Sequence, residues 1–152
     1  MTAYLDSSVL VKAYCLEPTS PQALTLLRRI EPPHLFTPWH ALEIKNALRL
    51  KRFRRELTLL QLRGALGNLH SDVESGFLHI PDLDFRSVFE QAELLSAAHT
   101  AAIGARSLDI LHVAAALVLG CRQFGSFDRR QRTLARLVGL RVLPRILRKS
   151  RT

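Results

Sequence analysis

Ala3-Tyr4-Leu5-Asp6-Ser7-Ser8-Val9-Leu10-Val11 is the stretch that decides the fold. A short apolar run stops at Asp-Ser-Ser, and apolar residues resume at once. The triplet fits a buried strand. Asp followed by Ser is a helix-start signal, because a short oxygen-bearing side chain accepts from a backbone N–H left free in the first turn. The reading is a strand, an acid at its carboxyl end, and a short helix over Val9 to Tyr14, stopped near Glu17-Pro18.

The same order recurs along the chain. Ser20-Pro21 opens a second helix with Pro at its first position, and Pro32-Pro33 ends it. His34-Leu35-Phe36 reads as a strand, and Thr37-Pro38 starts a helix to about Phe53. Another helix is predicted from Leu57 to Val73, then a strand over Phe77 to Ile80, then a helix from Asp84 to about Thr100. Ser107-Leu108-Asp109 caps the most apolar helix, Ile110 to Leu119, which Gly120 closes. Gln123 to Phe127 is a strand followed by Asp128, Gln131 to Val138 a helix, and Leu140 to Leu143 the last strand. Short strands alternating with helices predict a three-layer α/β/α sandwich around a short central parallel sheet. No repeat or linker divides the chain, so one domain over 1–144 is expected, followed by a basic tail over 145–152.

Composition agrees. The chain has 152 residues, 47% of them apolar and only 7% aromatic, so an aliphatic core is expected and intrinsic disorder is excluded. There are 22 Lys and Arg against 13 Asp and Glu, a net charge of +9, and 18 of the 22 cations are arginine. That balance favours an anionic partner, and the planar guanidinium fork suits phosphate or carboxylate. Cys15 and Cys121 sit in apolar settings and read as free thiols in a reducing cytoplasm. No apolar run approaches the roughly 18 residues a membrane span needs, so no membrane association is expected.

In parallel sheets, sites lie beyond the carboxyl ends of the strands. Asp6 and Asp128 directly follow strands, Asp109 falls in the first turn of a helix, and Glu43 lies one turn into another among Leu42, Ile44 and Ala47. Each alone is a plausible helix cap. Together at one end of a sheet they repel: at about 4 Å and an effective dielectric near 20, one pair costs roughly 4 kcal/mol. A hard divalent cation with oxygen ligands is the natural neutraliser. On this view, removing one charge by Asp109→Asn is expected to keep or raise stability without metal.

Four stretches carry a resemblance: Tyr4 to Lys12, His40 to Leu48, Leu108 to Ala116, and Gly125 to Gln131 with Leu134-Ala135 and Gly139-Leu140 behind it. They resemble the four acidic motifs of PIN-domain ribonucleases, most closely the VapC-type toxins of toxin–antitoxin pairs, with the acids 37, 66 and 19 residues apart. The resemblance spans residues 3 to 144. It implies a divalent-metal-dependent endoribonuclease in which Asp6, Glu43, Asp109 and Asp128 hold Mg²⁺ or Mn²⁺ directly or through water. It places Ser8 and Ser126 where hydroxyls orient the acids or contact phosphate. It also implies a cognate antitoxin and a homodimer.

Basic clusters at 49–55, 129–136 and 145–151 offer RNA contacts, with Lys51, Arg52, Arg129 and Arg130 the candidate residues. Trp39 could stack a base, although core packing is the better reading, and His112 reads as a packed helix histidine. The alternative function is a non-catalytic basic α/β module that binds nucleic acid or protein, its acids merely capping helices.

Overall fold

The computed structural model describes residues 3–16, 18 and 20–145 of the chain. Of the predicted tail over 145–152, only Arg145 lies within the described residues.

Strand β1 is Ala3–Leu5, and α1 follows as Ser7–Leu10, running into a 3₁₀ turn over Val11–Ala13. Asp6 caps α1 by accepting from Val9 N–H. Helix α2 (Ser20–Arg29) leads to β2 (His34–Leu35) and α3 (Pro38–Phe53). Helix α4 is Leu59–Glu74 and β3 is Leu78–His79. Helix α5 (Phe85–Leu95) passes through a π turn, Ser96–Thr100, into the short α6, Ala101–Ile103. Then come α7 (Ser107–Val118), β4 (Gln123–Gly125), α8 (Arg129–Leu137) and β5 (Arg141–Leu143).

Every strand pairing is parallel. Strand β4 lies between β1 and β5, with Tyr4, Phe124 and Val142 in one register row and Leu5, Gly125 and Leu143 in the next. The period of two sorts these rows onto opposite faces. Tyr4, Phe124 and Val142 join the core with α5, α7 and α8, where the Tyr4 and Phe124 rings stack with centroids 5.7 Å apart. Leu5 joins the core with α1 to α4, including Val9, Leu26, Ile44 and Leu48. The sheet is covered on both faces, which is the predicted three-layer order.

The register also demands a glycine. A Cβ on Gly125 would stand 2.4 Å from Leu5 Cδ2 and 3.3 Å from Leu26 Cδ2. The backbone of β4 therefore touches the side chain beside it, and only glycine fits without movement.

Four details differ from the sequence reading. The strands form two ladders, since β2 pairs only with β3. The carbonyl of Leu5, on the edge of β1 away from β4, accepts instead from His40 Nε2–H at 2.8 Å. A side chain takes the place of a neighbouring strand there. The helix predicted to end near Thr100 continues to Ile103, because nothing stops it before Gly104, whose φ of 66° terminates it. Strand β4 ends at Gly125, two residues before Phe127. Finally, Ser107 is the first residue of α7 and Arg106 holds the cap position, where its N–H donates to Asp109 Oδ2 three residues on.

Candidate functional site

Parallel strands send their carboxyl ends to one edge, and the acids gather there. Asp6 N–H donates to Gly125 O at 2.9 Å and Ser126 N–H to Leu143 O at 3.1 Å, so the ladder carries on into the residues after each strand. This sets Asp6 beside Ser126.

Asp6 is fully buried. Its Oδ1 accepts from Ser8 Oγ–H at 2.7 Å and from Val9 N–H at 3.1 Å; its Oδ2 accepts from Ser126 Oγ–H at 2.6 Å. Burial raises its pKa, and the neighbouring His112 imidazole and these hydrogen bonds only partly offset that. Both serines reach further: Phe127 N–H donates to Ser8 Oγ and Asp128 N–H to Ser126 Oγ. Ser126 thus ties Asp6 to Asp128 through one hydroxyl.

Asp128 caps α8, its Oδ1 accepting from the N–H groups of Arg130 and Gln131. The Gln131 side chain turns back across the site, and its Nε2 donates to Asp109 Oδ1 at 3.1 Å. Asp109 Oδ2 accepts from Arg106 N–H at 3.0 Å and from Arg106 Nε at 3.2 Å. Burial pushes the Asp109 carboxyl up, but the Arg106 N–H, the Gln131 amide and the Arg106 guanidinium together outweigh it, and the net direction is downward. The donors weigh against the repulsion argument: three N–H groups hold Asp109 in its ionised form, so Asp109→Asn is expected to lose stability without metal.

Glu43 stands on α3, half-buried. Its Oε2 accepts from Ser7 Oγ–H at 2.6 Å and from His112 Nε2–H in a short contact. Burial raises its pKa, yet His112 and Ser7 overcome that and hold it below the ordinary carboxylate range. A single proton arrangement satisfies the chain behind it. Trp39 Nε1–H donates to Tyr4 Oη at 2.9 Å, Tyr4 O–H donates to His112 Nδ1 at 2.9 Å, and His112 Nε2–H faces Glu43. Trp39 is therefore a core residue and not a platform for a base. His112 is packed, as its sequence setting suggests, but it also orients Glu43.

The basic residues separate. Arg129 and Arg130 line a cavity of about 660 Å³ that Asp128 also borders, directly beside the acids. Lys51 and Arg52 lie two turns beyond Glu43 at the far end of α3, where Lys51 pairs with Glu56 at 3.2 Å and Arg52 donates to Leu57 O. Arg132, expected in the basic rim, is buried and donates to the carbonyls of Ser126, Leu143 and Pro144. It is a clasp on the strand ends.

Sequence reasoning missed Ser7, Arg106 and Gln131. Gln131 was within reach: Asp-x-x-Gln is a capping-box pattern, with the glutamine at the third helical position. Here that amide serves Asp109 rather than the cap.

Among the described residues no three His, Cys, Asp or Glu side chains are spaced to hold one metal ion together. The donor chemistry still suits a hard cation, being all oxygen, and Gln131 Oε1 is a buried acceptor with no hydrogen-bond partner among them.

Among the solved structures that match is FitAcB from Neisseria gonorrhoeae, at 14% identity, with 94% of this chain and 97% of that chain covered and a TM-score of 0.61. The fold is PIN-like. No family model and no curated protein matches the sequence. The PIN-like fold accounts for the parallel strand ends and the placement of the acids, and it leaves the chemistry to be argued from this chain's own residues.

Proposed function

We propose that this PIN-like chain is a divalent-metal-dependent endoribonuclease and the toxin of a toxin–antitoxin pair. The observation that carries the reading is the linkage of the four acids at one sheet edge: Asp6 to Asp128 through Ser126, Asp128 to Asp109 through Gln131, and Glu43 fixed beside them by Ser7 and His112. The likeness to FitAcB over nearly the whole chain supports the fold on which this reading rests.

Asp6, Glu43, Asp109 and Asp128 would hold Mg²⁺ or Mn²⁺. Bound there, the ion supplies an acidified water and charge stabilisation on a phosphodiester. The protein's own residues do the positioning. Ser8 and Ser126 fix both oxygens of Asp6, so its carboxylate cannot rotate. His112 and Ser7 keep Glu43 ionised near neutral pH. Arg129 and Arg130 stand beside Asp128, where a phosphate chain can run. Self-association belongs to the same proposal: Phe85 and Phe89, four residues apart on α5, are both exposed.

The test is cleavage of end-labelled RNA by the purified chain, with cut sites mapped at RNA 5′ ends after brief induction in cells. Cleavage that needs Mg²⁺ or Mn²⁺ and disappears in folded Asp6→Asn is the expected result. The second reading, a binding module, draws on Asp6 and Asp128 being helix caps and on Asp109 holding the N–H of the cap residue Arg106. RNA binding with no cleavage under any metal would establish it in place of the nuclease.

A further inference from the structure

Two residues outside the four acids meet at Asp109. Arg106 donates to its Oδ2 twice, and its Nη2 stands 3.8 Å from Asp128 Oδ2. One guanidinium thus spans two of the four carboxylates, and its field reaches Glu43 as well. The Arg106 side chain is 67% exposed, whereas that of Asp109 is 5% exposed. The cation can leave into water at little cost, and the anion cannot.

Gln131 supplies the second observation. It is buried, its backbone N–H is bound to Asp128, its Nε2 to Asp109, and its Oε1 has no partner among the described residues. An oxygen acceptor is thus held between two acids with no donor to meet it. Guanidinium is a set of N–H donors on a fixed plane, and here the plane is committed to the carboxylates. A compact divalent ion or its water can meet carboxylate and amide oxygens together.

We propose that Arg106 is the resident counter-ion of the acidic cluster, displaced when a divalent cation binds, and that Gln131 Oε1 is a further oxygen donor to that cation or its water. This rests on the reading that the cluster takes such a cation. The two positive occupants compete for the same carboxylates, so the strength of the Arg106 contact is subtracted from metal affinity.

The experiment is isothermal titration of the full chain with Mn²⁺, without RNA, at neutral pH. Arg106→Ala is expected to bind at least fivefold more tightly than the unaltered chain, with Arg106→Lys between them. Gln131→Met, close in size and apolar, is expected to bind at least threefold more weakly. Circular dichroism confirms folding; should Arg106→Ala fail to fold, Arg106→Lys against the unaltered chain decides. Equal or weaker binding when Arg106 is replaced overturns the counter-ion, and unchanged binding in Gln131→Met overturns the added donor. Absence of Mn²⁺ binding in every variant overturns the cation reading itself, and both inferences with it.

Discussion

Glu43 keeps its charge because a buried imidazole and a serine hydroxyl both point at one of its oxygens. Replacing His112 by Leu removes the larger of the two supports and leaves burial in command. The Glu43 carboxyl should then rise, which carbon-detected NMR titration of the glutamate carboxyls would follow. The sign of the stability effect is fixed by linkage. A carboxyl depressed in the folded state contributes stability above its unfolded pKa and loses it as pH falls through the folded value. Denaturation midpoints of His112→Leu should therefore fall most near neutral pH, and the gap to the unaltered chain should close in acid. A constant gap across pH would assign the whole effect to packing. Asp109 obeys the same rule, being depressed as well. Asp109→Asn cannot accept at both oxygens, and a loss of about 1 kcal/mol, the ordinary worth of a helix cap, is expected in thermal melts without metal. An unchanged or raised midpoint would restore the repulsion argument.

At the scale of elements, the strand–acid–helix order was legible because three physical signals coincide: an apolar triplet, a small acid, and a helix start. Asp6 and Asp128 announce themselves in this way. Their partners do not announce themselves locally, and the resemblance alone singles out Ser8 and Ser126. Ser126 reaches Asp6 across 120 residues of chain, and Gln131 reaches Asp109 across 22. Nothing local in sequence distinguishes Gln131 from a cap or Arg132 from a surface arginine, since both roles depend on what β4 and β5 bring alongside. Gly125 belongs with them. It reads as a weak spot in a strand, yet its missing side chain lets β4 close on Leu5. Gly125→Ala must displace a packed leucine one residue before Asp6, and a cost of about 1–3 kcal/mol is expected from denaturant unfolding. Accommodation at no cost would mean that Leu5 has an open rotamer. Arg132→Met tests the clasp. It frees one buried and two half-buried carbonyls from a charged donor, and about 2–4 kcal/mol of stability should disappear, each charged hydrogen bond being worth roughly 1.5–3 kcal/mol before relaxation.

For the molecule as a whole, the net charge of +9 matters through its placement. Arg129 and Arg130 border the acids, while Lys51 and Arg52 are engaged at the far end of α3. If single-stranded RNA crosses the acidic edge, the first pair carries it. Each phosphate that is no longer neutralised lowers the slope of log affinity against log salt by about 0.7. Replacing both Arg129 and Arg130 by Ala should flatten that slope by about 1.4, twice the single-phosphate value, and replacing Lys51 and Arg52 should change it less. Equal changes would spread the RNA over the whole basic surface.

Asp6 and Asp128 each hold a backbone N–H of the helix they precede, and Asp109 holds that of Arg106, the residue capping its own helix. On the proposed nuclease reading, fold and reactivity draw on the same atoms, and mutation meets an uneven landscape at these positions. Alanine removes the cap and the charge at once. Asparagine or serine at Asp128 leaves an oxygen for the helix and deletes only the anion. A lineage relieved of selection for activity has a gentle exit at Asp128 and none of the same kind at Asp109, where both carboxylate oxygens are in use. Silenced descendants of this chain should accordingly carry Asn or Ser at the first position and retain Asp at the second. For the laboratory, Asp128→Asn is the variant expected to lose the proposed activity and still fold.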